Sequence, residues 1–110
     1  MAGIDKKNFD NPDHTMDMKH GRAFIVHVGD EEVVRSELEP GWNWDEDLEP
    51  WAEGAKSCPL THREYVVAGK IRYLMDDGTE YFGEPGDFLF IEPGHRAWVV
   101  GDEKCVLIDW

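Results

Sequence analysis

The sequence predicts a single all-β domain of antiparallel strands, on three observations. Short apolar runs recur at roughly 8–12-residue spacing and close on Gly, Pro or Asp, the pattern of a sandwich or barrel. No stretch carries a helical period. The triplet Asp76-Asp77-Gly78, set between two such runs, is a hairpin turn. With 110 residues the chain suits one domain that buries a core without disulfide staples.

Taken in order, residues 1–21 hold few apolar side chains and several turn formers (Asn8, Asn11, Pro12, Gly21). An irregular N-terminal segment is expected there, with His14 and His20 in solvent, and the barrel is expected over 22–110. Ala23 to Gly29 is an apolar run around His27, and Glu31 to Glu39 a mixed strand ending at the Pro40-Gly41 turn. Trp42 and Trp44 stand two apart, so on a strand they share a face, as a core cluster or a pocket wall. Residues 45–56, with Pro50, Gly54 and five acidic residues, read as a long loop. Beyond it, strands are expected over Cys58–Ala68, Lys70–Met75, Thr79–Phe82, Asp87–Ile91, His95–Val100 and Cys105–Trp110.

The formal net charge is −13, from 24 acidic and 11 basic residues. This excludes nucleic acid and anionic membrane surfaces as partners, since both demand basic patches. Apolar residues at 41% and charged residues at 32% fit an ordinary globular protein rather than a disordered one. No apolar run reaches transmembrane length. Two cysteines, Cys58 and Cys105, are too few for a disulfide framework, and no signal peptide stands at the N-terminus, so a cytoplasmic protein with reduced thiols is expected.

The chemistry concentrates in Ser57–Gly69, SCPLTHREYVVAG. Cys58, His62 and Glu64 have one parity, so on an extended strand all three can point to one side. Cys58 and His62 are metal-ligand types. Glu64 can be a fourth ligand, a general base or a solvated charge. The alternative is that Cys58 packs as a small hydrophobe and the histidines make structural hydrogen bonds. Cys105, in an apolar strand, is expected in the core.

The glycine and proline skeleton resembles a small single-domain cupin. The first cupin motif is His-any-His, three or four residues, Glu, six residues, Gly. Laid on Gly69, it puts its Glu position at His62 and its His positions at Cys58 and Lys56. The second motif is Gly, five residues, Pro-any-Gly, two residues, His, three residues, Asn. It matches at Gly86 and Gly94, while its His and Asn positions carry Ala97 and Gly101. The resemblance extends to a cupin subgroup sharing four segments, here Gly41–Trp44, Cys58–His62, Met75–Glu80 and Pro93–Glu103.

The resemblance implies a jelly-roll β-barrel with every usual metal position substituted. It also implies a replacement site. His95 lies two residues before the lost histidine position at Ala97, and so on the same face. Cys58, His62 and His95 then offer a thiolate and two imidazoles to a divalent metal. Zinc suits this set first, with an open fourth position; iron, nickel and copper also accept these ligands. Trp42, Trp44, Glu64 and Trp98 are the expected pocket residues. A metal-dependent enzyme acting on a small molecule, a non-catalytic ligand-binding or sensor module, and a jelly roll used only for association all follow as readings. No general base and no substrate-anchoring arginine pair stands out. A homodimer is expected, since cupins often pair barrels and the apolar strand faces exceed one small interior.

Overall fold

The structure, a computed structural model, describes residues 3–51 and 53–110. Nine strands form two antiparallel sheets among them. They are β1 (His14–Met18), β2 (Gly21–Val28), β3 (Glu31–Leu38), β4 (His62–Ala68), β5 (Ile71–Met75), β6 (Glu80–Gly83), β7 (Phe88–Ile91), β8 (His95–Val99) and β9 (Cys105–Asp109). The larger sheet runs β1-β2-β3-β9-β4-β7 and the smaller β6-β5-β8. The all-β expectation holds, as a jelly-roll sandwich whose sheets are not hydrogen-bonded into a closed barrel among the described residues. No helix there is long and apolar enough to cross a membrane.

The inward faces follow strand parity. Leu38 of β3, Val66 of β4, Ile71 and Tyr73 of β5, Ala97 of β8, and Cys105 and Leu107 of β9 are buried together with Trp42 and Ile91. Cys105 is fully buried, as expected of a core cysteine.

Two expectations are corrected. The segment 1–21 is not wholly irregular, because β1 pairs antiparallel with β2 from His14↔Ile25 to Met18↔Gly21. Met16 and Met18 share the half-buried face of β1, which gives an otherwise polar stretch its strand alternation. Within 45–56 the chain forms a one-turn helix, α1 (Trp44–Asp47), and a 3-10 turn at Glu49–Trp51. Asn43 caps α1 by accepting from the Glu46 N–H at 2.9 Å. Residues 1, 2 and 52, parts of these same stretches, lie outside the described residues.

Asp47 ties α1 to the β1–β2 turn. Its buried carboxylate accepts from the His20 N–H at 2.6 Å and the Asn43 N–H at 3.1 Å, and lies 3.0 Å from His20 Nδ1. His20 is therefore half-buried and bonded rather than free in solvent, while His14 and His27 are exposed. The tie holds Trp44 inward, so both tryptophans are buried although neither lies on a strand.

Candidate metal centre

The site begins with backbone hydrogen bonds that fix a cysteine against a strand. The Cys58 N–H donates to the His95 carbonyl at 2.8 Å, and the Gly94 N–H donates to the Cys58 carbonyl at 2.8 Å. These bonds form an isolated antiparallel bridge between Cys58 and His95. Ser57 Oγ, 3.0 Å from Asp76 Oδ2, secures the same loop. Cys58 is thus held by its backbone rather than by side-chain packing alone.

β4 supplies the next residues. His62 and Glu64 point inward by parity, as read from the sequence, with Val66 below them. Cys58 Sγ and His62 Nε2 lie 3.4 Å apart. His95 enters from the first position of β8, buried at 3% exposure, its ring 5.1 Å from that of His62. One donor atom from each of Cys58, His62 and His95 lies within 4.8 Å of the others. The three residues singled out on chemistry are brought together.

Both imidazoles are oriented the same way. His95 Nδ1 lies 2.7 Å from the Glu92 carbonyl, so Nδ1 carries the proton and Nε2 keeps its lone pair. His62 Nδ1 faces Asp109 Oδ1 at 3.7 Å, which leaves Nε2 toward Cys58. A carbonyl or carboxylate behind the outer ring nitrogen is the usual support of a metal-ligating histidine. Burial holds both imidazoles below their ordinary pKa, His62 down to about 4 with His95 adding to the effect. They are neutral near pH 7, the state that binds a cation. Burial pushes the Cys58 thiol up, opposed by hydrogen bonds from the Leu60 backbone and the Trp44 side chain. A nearby cation would favour its thiolate.

Beside these donors lies a buried acidic pair that sequence spacing did not reveal. Glu64 on β4 and Asp109 on β9 stand directly opposite in the ladder. Two charged carboxylates so placed repel. Burial raises both above the carboxylate range, and the neighbouring Glu64 raises Asp109 further, so the pair keeps a proton near neutral pH. Tyr73 Oη donates to Glu64 Oε2. Burial and the same carboxylates push the Tyr73 phenol up. Asp109 Oδ1 is buried without a hydrogen-bond partner. Glu64 is therefore neither a ligand already in place nor a solvated charge, but the middle of a Tyr73–Glu64–Asp109 network. The available signal was parity, since Cys105, Leu107 and Asp109 alternate on β9 and two of the three are core.

The network carries a pH prediction for the metal-free protein. The folded state keeps a proton that the unfolded chain releases near pH 4. Its contribution to stability is full below that value and is lost as pH rises through the pair's raised range. Melting temperature should fall from pH 5 to pH 9. Asp109→Asn, which removes one of the facing charges, should flatten this fall, raising stability at pH 9 by on the order of 2 kcal/mol. Equal slopes for both proteins, followed by circular dichroism, would contradict the retained proton.

These side chains open on a cavity of about 490 Å³ between the sheets. Its walls are mainly apolar, including Met18, Val34, Leu38, Trp42, Ile71 and Leu107. Trp44 and Glu64 also line it. Trp98 does not, which corrects the expected pocket set. With His95 and Ala97 buried, Trp98 takes the opposite face of β8, where Arg72 and Arg96 lie over its ring at 4.9 and 5.4 Å.

No family model and no curated sequence matches the chain. Solved structures do. Oxalate decarboxylase from Bacillus subtilis superposes with a TM-score of 0.63 at 20% identity, over 87% of this chain and 26% of its own. That enzyme has Mn(II) centres. A cupin-2 domain protein from Rhodospirillum rubrum superposes with a TM-score of 0.60 at 13% identity, covering 96% of this chain and 65% of that one. The polyketide cyclase RemF from Streptomyces resistomycificus gives 0.58 at 17% identity, over 84% of this chain and 64% of its own. The chain spans about a quarter of the decarboxylase it matches (26%). At these identities the likeness shows the cupin, or double-stranded β-helix, fold.

Proposed function

We propose that Cys58, His62 and His95 hold one divalent ion and that the chain acts on a small organic molecule in the adjoining cavity. The observation that carries this is the convergence of three donor atoms within 4.8 Å. Both histidines also present Nε2 to the site, with Nδ1 turned toward an oxygen. Zinc fits a Cys and two His best, leaving a fourth position for substrate; iron, nickel and copper are accepted by the same donors. A bound ion would supply Lewis-acid polarisation of an oxygen on the bound molecule. The Glu64–Asp109 pair holds a proton at the cavity wall and can exchange it with that molecule, with Tyr73 Oη orienting Glu64. Trp42, Trp44 and the other apolar walls exclude water. The tie of α1 to the β1–β2 turn through Asp47 keeps that wall in place.

A non-catalytic ligand-binding module is the second reading, favoured by the apolar character of the walls. Loss of turnover on chelation, with ligand binding retained, separates the two. The subgroup resemblance, with its Cys-any-any-any-His segment, supports the ligand set. Both cysteines are free, in keeping with a cytoplasmic setting.

Elemental analysis of protein purified without an affinity tag tests the centre. About one equivalent of a transition metal per chain is expected; metal-free protein that gains none on addition of zinc would reject it.

A homodimer remains part of the proposal. Phe88, Phe90 and Trp110 are exposed at 71%, 64% and 45%, and the two phenylalanines lie on β7, an edge strand of the larger sheet. A second copy would cover this aromatic face. Light scattering should give twice the chain mass; the mass of a single chain at high concentration contradicts it.

A further inference from the structure

We propose that the cavity takes a molecule with an oxygen head group at the metal end and a linear aliphatic tail laid along the inner face of β3, β2 and β1. This names a substrate class for the small-molecule reading above and rests on it. The first observation is a mismatch between the sheets, six strands facing three. The hydrophobic core gathers around Val66, Ile71 and Leu107, with Met18 packed at its margin. Met16 of β1, Ile25 of β2 and Val34 of β3 also line the cavity, yet they stay only half-buried. Their free surface is apolar and faces the space between the sheets, where an apolar occupant would cover it.

The second observation is that these residues form a continuous floor leading to the candidate metal centre. Ile25 pairs with Val34, Val34 with Asp109, and Asp109 with Glu64 on β4. In the neighbouring row Met16 pairs with Ala23, and Ala23 with Ser36. Cross-strand partners share a face, so the floor runs straight across the strands. Three ladder steps of about 4.8 Å separate β2 from β4, roughly 14 Å in all. β4 carries His62, so the floor starts beside the proposed ion and ends at β1, the edge strand of the sheet. Glu32, the next inward position of β3, stands in solvent at the rim, 4.0 Å from His27.

The chemistry of the floor sets the class of the tail. Its half-buried side chains, Met16, Met18, Ile25, Val34 and the Leu48 that follows α1, are all aliphatic, whereas Trp42, Trp44 and Tyr73 are buried. Two methionines, unbranched and polarisable, adapt to a flexible occupant. A long aliphatic floor fits an unbranched chain better than a compact ring system. The three donors leave a fourth position on the ion, which an oxygen head group would take. A cavity of about 490 Å³ has room for such a molecule.

Calorimetric titration of the full chain with n-alkane hydroxamates, from butanohydroxamate to decanohydroxamate, and with the matching n-alkanols tests this. Zinc-loaded and metal-free protein are compared, with metal content assayed in each. Each methylene buried on the floor contributes roughly fourfold in affinity. Decanohydroxamate should therefore bind the zinc-loaded protein at least about a hundredfold tighter than butanohydroxamate. The alkanols should show the same dependence on length with or without zinc. Ile25→Asp, which puts a charge on the floor, should flatten both series. Phe82→Ser, at an exposed position of β6, should leave them unchanged. Circular dichroism checks that each variant is folded, and the wild-type series stands as a test whatever the aspartate variant does. A smaller rise across the wild-type series overturns the proposal, and so does a rise that a folded Ile25→Asp protein retains. If hydroxamates gain nothing over alkanols in zinc-treated protein yet both series rise with length, the metal centre fails while the floor for the tail stands.

Discussion

Replacing Gly69 with alanine should strongly destabilise the protein. Gly69 has φ +77°, a left-handed conformation that costs an L-residue roughly 1–2 kcal/mol. A Cβ there would also lie 2.5 Å from the Lys104 carbonyl oxygen and 2.6 Å from Cys105 Cα. Both are backbone atoms at the start of β9, so no side chain can swing aside. Relief requires parting β4 from β9, and that ladder carries Glu64 opposite Asp109. We expect a loss of about 4 kcal/mol, a large fraction of the stability of a small domain. Urea unfolding followed by tryptophan fluorescence measures it. A midpoint within the wild-type error would show that the β4–β5 turn is not wedged against β9.

Removing the thiol should nearly abolish metal binding. Cys58→Ser keeps the backbone bridge to His95 but replaces the soft, anionic donor with a hydroxyl. Loss of an outer support usually weakens metal affinity by about 10–100-fold, so loss of a direct ligand should exceed about 100-fold. His62→Ala and His95→Ala should have comparable effects, because each removes an Nε2 donor. His14→Ala, at the exposed start of β1, should change nothing. Competition against a chromophoric chelator gives the affinities. Equal affinity in wild type and Cys58→Ser would remove the thiol from the site.

What the sequence revealed, and what it hid, follows from the range of the interactions. Parity along β4 was legible because His62, Glu64 and Val66 obey the period of a strand, and their faces follow without tertiary knowledge. The same rule placed His95 inward on β8. Applied one step further it would have put Trp98 outside, since Trp98 is odd to His95 and Ala97. The indole's chemistry suits a pocket wall, but its place on the strand sets it outside. β1 escaped notice because its inward residues, Met16 and Met18, lack the β-branched signature of strands, and its pairing with β2 is what holds it.

Asp109 was hidden for a different reason. It stands 45 positions from Glu64, and only the β4–β9 register brings them face to face. No local motif encodes such a pair. An acidic residue continuing the inward alternation of Cys105 and Leu107 was the one visible trace. Asp47 is similar, since its tie to His20 spans 27 positions and turns a run of acidic loop residues into a buried anchor.

Titration with Co(II) tests the centre most directly, because a thiolate ligand marks itself by a sulfur-to-cobalt charge-transfer band in the near ultraviolet. The tag-free wild-type chain should develop that band and saturate at about one equivalent. Cys58→Ser should lack the band altogether, and His62→Ala and His95→Ala should shift or weaken it, while Cys105→Ala should leave it intact. A wild-type protein that shows no sulfur-to-cobalt band, or one whose band survives in Cys58→Ser, would contradict a metal centre built on Cys58, His62 and His95.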